Sequence, residues 1–420
     1  MAEKFLLSNG MRLLLEYMPH VHSVSTGVWV NTGSAREDIS EWGVSHLLEH
    51  MLFKGTKNRS SIEISSVMDN VGGVLNAFTS KEYTCYYTHC LDEYFELSLD
   101  LLSDMYSNSL LDAQELDREK QVVIEEINMY EDSPDEQTME LFAKTLWPNH
   151  SYGRSISGTV ESVAALTRDH LTGYMQRHYT ADNTVLAVAG NVTPKQAVEL
   201  AEKYFGTTAA CEQSLLTTAD AAGGEAYFYK DIEQTHLCIG FPGLALTDSD
   251  YYTGSVLNCL FGGSASARLF QEIREKRGLS YSAFSYMDCY RHNGYWSAYA
   301  STQPDRSAEL AQVMVNEFAR LLRQGVDAAE IEKCKQQLKG SLLLQLESTN
   351  AVMGKLGKTE LSLGRLYSAD DTAAGIMRVT HQDVIRVIEK LVQPNRMVMA
   401  QVGPKSCGFS MDELWANVQL

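Results

Sequence analysis

A chain of 420 residues is longer than one hydrophobic core ordinarily organises, so two or three domains are expected. With 44% apolar and 21% charged residues it has a globular composition, which excludes a disordered or fibrous protein. A formal charge of −19 and a pI near 5.0 argue against nucleic acid or an anionic membrane surface as the main partner. No apolar run is long enough to cross a membrane. The opening Met1-Ala2-Glu3-Lys4-Phe5 carries neither a secretory nor a transit pattern. Eight cysteines are scattered without C-x-x-C spacing, which fits reduced thiols and a cytoplasmic location better than a disulfide framework.

In chain order, Asn9-Gly10 reads as a turn between two apolar runs, the start of a hairpin. Residues 22–30 alternate as a strand. A short helix is then expected over His46-Leu47-Leu48-Glu49-His50, whose two histidines and glutamate fall at i, i+3 and i+4 and so share one face. Two imidazoles one turn apart can chelate one metal ion, with the carboxylate between them in reach of its water. This is the H-x-x-E-H order, inverse to H-E-x-x-H. Leu47, Leu48 and Met51 can anchor that helix in a core.

A second helix is expected over 60–71, ended by Gly72-Gly73, followed by strands 74–80 and 83–89 and a helix over 91–107. The next helix, about 112–131, stops before Pro134. Its apolar stripe is read as Leu116, Val122, Val123, Ile127 and Tyr130, with Glu119 and Glu126 on the same face and Glu125 turned away. Two carboxylates on a core-facing stripe are costly unless a strong positive charge sits beside them. A tetrahedral catalytic zinc takes three protein ligands. Glu126 is accordingly the expected third ligand, and Glu119 the residue that orients a liganding histidine.

Helices over 136–146, 167–178 and from Pro194, with a buried-type strand over 183–190, complete a first half of about 210 residues. The pattern dissolves into Ala, Thr, Ser and Gly around 211–224, the expected linker. The same programme then begins again. Gly27 matches Gly240, Leu52-Phe53-Lys54-Gly55 matches Leu260-Phe261-Gly262-Gly263, and the strand from Asn183 matches that from Asn395, at offsets of 213, 208 and 212. Two tandem α+β domains are expected, each with a mostly antiparallel sheet packed by helices: 1–210 bearing the metal site, and 225–420 an inactive copy. At the offset of 208 the His-Glu-His triplet falls on Gly254, Leu257 and Asn258, so one zinc per chain is expected.

Three segments together carry a family resemblance: Gly43-x-x-His46-Leu-Leu-Glu49-His50-Met-Leu-Phe-Lys-Gly55-Thr, Leu75-Asn-Ala-Phe-Thr-Ser80 and Glu119-x6-Glu126. The chain resembles the insulinase/pitrilysin zinc metallopeptidases, and within them the processing-peptidase-like branch. The resemblance implies a zinc metalloendopeptidase with His46, His50 and Glu126 as ligands of one Zn2+ and Glu49 as general base. It implies that Arg274 and Tyr281, in Arg274-Glu-Lys-Arg-Gly-Leu-Ser-Tyr281, bind substrate and stabilise the transition state. Extended peptide would pair with the strand edge formed by Leu75, Asn76, Ala77, Phe78 and Thr79. Gly262-Gly263-Ser264 is shorter than the glycine-rich loop of the family's inactive partner subunits. A chain half the length of the single-chain members implies a homodimer enclosing a shared chamber, with Arg274 and Tyr281 expected from the other copy. The alternatives are a peptide-binding subunit that does not cut, a subunit active only with a different partner, and another zinc hydrolase.

Overall fold

The computed structural model describes residues 2–210 and 218–419. It comprises two compact units. The first is Met1–Asn128, Ser155–Leu216 and Leu344–Ser368; the second is Met129–Arg154, Thr217–Leu343 and Ala369–Leu420.

In the first unit six strands, β1 (Glu3–Leu6), β2 (Arg12–Tyr17), β3 (Ser23–Val30), β4 (Val74–Thr79), β5 (Thr84–Leu91) and β6 (Thr184–Gly190), form a sheet in the order β1-β2-β6-β3-β5-β4. The expected hairpin is present: Gly10 has a φ of 87°, the Asn9 side chain accepts the Met11 N–H, and β1 pairs with β2. Among the described residues β4 lies at the sheet edge, paired only with β5. One face of the sheet packs on the core around Val28, Val30, Leu47, Leu48, Met51 and Leu99.

In the second unit β7 (Gly224–Tyr229), β8 (Thr235–Pro242), β9 (Ala283–Cys289), β10 (Gly294–Thr302) and β11 (Val398–Gly403) run in the order β7-β11-β8-β10-β9. This repeats the β2-β6-β3-β5-β4 order of the first sheet. The pairing senses match as well: β2 with β6 and β7 with β11 are parallel, and the rest are antiparallel. The duplicated α+β architecture is therefore present, but one register differs from expectation. Counting back from the strand-ending Gly190 and Gly403, Gly27 sits opposite Ala187, the counterpart of Ala400, whereas Gly240 sits opposite Val398. The residue on β8 that corresponds to Gly27 is Cys238, paired with Ala400.

The units are not the contiguous halves 1–210 and 225–420. A sheet with apolar side chains on both faces needs cover on both, and each sheet draws one helix from the other half of the sequence. Helix Thr349–Leu363 covers the β3–β6 face of the first sheet, where Trp29 Nε1 donates to Met353 Sδ at 3.3 Å. Gly357 permits the approach, since a Cβ there would stand 2.3 Å from the Trp29 ring. Helix Pro134–Leu146 covers β8 and β11 of the second sheet. Of the expected linker, residues 211–217 lie outside the described residues, 218–223 carry no regular structure, and Gly224 opens β7. Among the described residues no cysteine forms a disulfide, and all but Cys289 are buried. Among the described residues no helix is long and apolar enough to cross a membrane.

Candidate metal centre

The motif helix, Val44–Met51, begins at Gly43, whose φ of 92° only glycine adopts readily. The buried Glu37 carboxylate fixes that start: Oε2 accepts the Gly43 N–H at 2.8 Å and Oε1 the Ser45 N–H at 2.9 Å. Ser45 Oγ lies 2.8 Å from the Tyr174 hydroxyl. Val44, Leu47, Leu48 and Met51 are buried in the core, so the opposite side of the turn presents His46, Glu49 and His50 together.

The second contributor is helix Ala113–Asp132. Leu116, Glu119, Val123 and Ile127 form its buried face, Glu126 is half-buried at the margin, and Glu125 is exposed. Val122 and Tyr130, read from sequence as part of that stripe, are exposed. The buried strip is narrower than the pattern implied because Val122 lies one position, about 100°, from Val123.

Glu126 Oε2 lies 3.6 Å from His46 Nε2 and 3.5 Å from His50 Nε2. One donor atom from each of the three residues lies within 4.8 Å of the others, and no other such group occurs among the described residues. His50 Nδ1–H donates to Glu119 Oε1 at 2.9 Å, and Lys54 Nζ holds Glu119 Oε2 at 2.6 Å. This leaves His50 Nε2 to face Glu126. The Thr79 hydroxyl, at the end of the edge strand, donates to Glu49 Oε2.

The two imidazoles are driven apart in basicity. Burial, with His50 alongside, lowers the His46 pKa to about 4. Burial also disfavours the His50 imidazolium, but hydrogen bonds to Glu119 and Glu126 outweigh it and raise its pKa to about 9. Burial pushes Glu49 up, against the Thr79 hydrogen bond. Burial opposes ionisation of Glu119 too, yet its bonds to His50 and Lys54 prevail and hold it below the ordinary carboxylate range.

The residues fit a zinc ion. Ligands about 2.1 Å from a tetrahedral zinc stand about 3.4 Å from one another, close to the separations of Glu126 from both imidazoles. The donor set, two imidazole nitrogens and one carboxylate oxygen, suits zinc and leaves a fourth position open. His46 Nδ1 is buried and has no hydrogen-bond partner among the described residues, so His46 is held by packing with Nε2 turned to the cluster.

The other expected site residues divide between the units. Along β4, Leu75 and Ala77 pack on the core, Asn76 is exposed, and Phe78 meets Trp29 edge-on with centroids 5.6 Å apart. Arg274 and Tyr281 belong to the second unit, where the guanidinium lies 4.5 Å from the centroid of the Tyr281 ring and the tyrosine is 83% exposed. Sequence reasoning missed Lys54, Glu37 and the bond from Thr79 to Glu49. Lys54 had a signal, since it follows the second histidine by one helical turn.

Comparison with known proteins agrees with this geometry. The family described as Insulinase (Peptidase family M16) matches residues 12–160, and that described as Peptidase M16 inactive domain matches 165–338. An uncharacterized zinc protease of Bacillus subtilis is 43% identical over 372 residues, 88% of this chain and 91% of that one. An uncharacterized zinc protease of Streptomyces coelicolor is 38% identical over 407 residues, 95% of this chain and 88% of that one. The crystal structure of a protease from Helicobacter pylori shares the fold with a TM-score of 0.91 at 23% identity, covering 96% of this chain and 99% of that one.

Proposed function

The chain belongs to the insulinase family of metallopeptidases, peptidase family M16, and we propose that it is a zinc-dependent endopeptidase acting on small or unfolded peptides. The observation that carries this reading is the convergence of His46, His50 and Glu126 with Glu49 on the same helical turn.

His46, His50 and Glu126 hold the ion, one per chain. When bound, zinc supplies Lewis-acid activation of the attacking water and of the peptide carbonyl. Glu49 takes the proton of the attacking water and delivers it to the leaving amine. Thr79 holds one Glu49 oxygen and so aims the other at the reacting centre. Glu119, kept ionised by Lys54, fixes the His50 ring and tautomer through Nδ1. The outer edge of β4, from Leu75 to Thr79, pairs with extended substrate through backbone hydrogen bonds, which tolerates many sequences. Arg274 and Tyr281 hold the substrate backbone and the developing oxyanion. Two copies pair to enclose the chamber, each lending Arg274 and Tyr281 to the other's site.

The test is cleavage of a mixed peptide library together with zinc content by elemental mass spectrometry. Cleavage by the wild type, and zinc without cleavage in Glu49→Gln, is the expected result. Zinc without cleavage in both would point instead to a peptide-binding subunit. Pairing is read by mixing Glu49→Gln and Tyr281→Phe chains, which regain activity only if a site is shared between copies.

A further inference from the structure

Arg274 stands on an unusual turn. From Gln271 to Glu275 the backbone is π-wound, and the Lys276 N–H reaches back to the Gln271 carbonyl at 3.0 Å. Such turns are rare within helices and gather at functional sites.

Glu272, only 7% exposed, is the charge centre behind that turn. Its Oε1 accepts from Lys276 and lies 3.4 Å from Arg320. Its Oε2 accepts from Arg277, which also donates to the Glu272 carbonyl at 3.3 Å. The winding accounts for this pairing. At about 4.4 residues per π turn, positions i+4 and i+5 both return to the face of residue i, whereas at 3.6 per turn i+5 points about 140° away. Arg320, on helix Ser307–Gln324, also donates to the buried Glu317 at 2.6 Å. A line of alternating charges therefore ties the π turn to that helix. Burial opposes ionisation of Glu272, and the Lys276 and Arg277 bonds outweigh it, keeping the carboxyl below its ordinary range.

Arg274, two residues on, points to the opposite side of the turn. Its guanidinium lies 4.8 Å from the Phe270 centroid and 4.5 Å from that of Tyr281, with Glu275 at 3.6 Å. One face of the turn is clamped by charge, and the other presents the arginine over the exposed tyrosine.

Resting on the reading that Arg274 and Tyr281 hold the substrate backbone, we propose that Glu272 is a positioning residue. By accepting from Lys276 and Arg277 at once, it locks the π turn and fixes where the Arg274–Tyr281 pair stands.

The test is a double-mutant cycle between Glu272→Gln and Arg274→Ala. It reads KM and kcat on an internally quenched mixed-sequence peptide that the wild type cleaves, and zinc content. Glu272→Gln is expected to raise KM about tenfold, the scale of a lost charge-assisted contact, and to lower kcat as Tyr281 shifts from the oxyanion, with zinc content unchanged. On the Arg274→Ala background it should raise KM no further. Glu317→Gln, at the far end of the charge line, should lower the unfolding midpoint and leave KM alone, which separates positioning from stability. Where Glu272→Gln does not accumulate, Arg277→Gln reads the same cycle at smaller amplitude. An unchanged KM in Glu272→Gln, or full additivity with Arg274→Ala, overturns the inference. An unchanged KM in Arg274→Ala overturns the reading of Arg274, and the inference with it.

Discussion

Two helices in equivalent places do different work. Val44–Met51 lies between β3 and β4 in the chain, and Tyr251–Gly262 lies between β8 and β9. In the first, the side away from the core carries His46, Glu49 and His50. In the second, Gly254, Leu257 and Asn258, on which the triplet falls at the sequence offset of 208, are absorbed by packing. A Cβ on Gly254 would stand 2.7 Å from Leu244 and 2.8 Å from Met287, and Leu257 is buried. Asn258 Oδ1 accepts from Trp296 Nε1 at 3.1 Å and Ser285 Oγ at 2.8 Å. The helix is thus a structural unit that the fold uses twice and that carries the two histidines and the glutamate once. The triplet is not required to build it.

That contrast can be broken most severely at Glu49. Glu49→Gln should lower cleavage by about 10³-fold or more while retaining zinc, the loss expected of a general base. Steady-state kinetics with elemental analysis checks both halves, and retained cleavage would remove Glu49 from that role. Glu119→Gln should be milder. Replacing the charged acceptor of His50 Nδ1–H with a neutral amide oxygen should weaken zinc affinity by about 10–100-fold, measured by competition with a chelator. In the second helix the expected effect falls on stability alone. Asn258→Ala leaves the Trp296 indole N–H without its acceptor, while the Ser285 hydroxyl keeps the Asn258 carbonyl at 3.2 Å, and should cost about 1–3 kcal/mol in chemical denaturation. Zinc content and kcat should stay unchanged. Smallest of all, Glu125→Gln, on the exposed side of helix Ala113–Asp132, should change neither zinc nor cleavage.

The features legible in the sequence were those with a local period. The strands followed from alternation and the hairpin from Asn9-Gly10. The motif helix came from its buried leucines, and Glu119 with Glu126 from their seven-residue spacing. Features set by distant partners were hidden. Nothing in the amphipathic pattern of Pro134–Leu146 or Thr349–Leu363 says which sheet it will cover, so the exchange between halves could not be read. The Thr79–Glu49 bond joins residues thirty apart, and Glu37 reaches back-bone groups only once the chain bends at Gly43. The Gly27–Gly240 match went wrong because one glycine in a strand resembles another, and only the ladder fixes which residues are equivalent.

The most direct test of a single metal centre confined to one of two like halves is zinc stoichiometry by elemental mass spectrometry. It is applied to the wild type, Glu126→Gln and Glu125→Gln after dialysis. The expected result is about one zinc per chain in the wild type and in Glu125→Gln, and less than about a tenth of that in Glu126→Gln. Two zinc ions per wild-type chain, or full occupancy in Glu126→Gln, would contradict it.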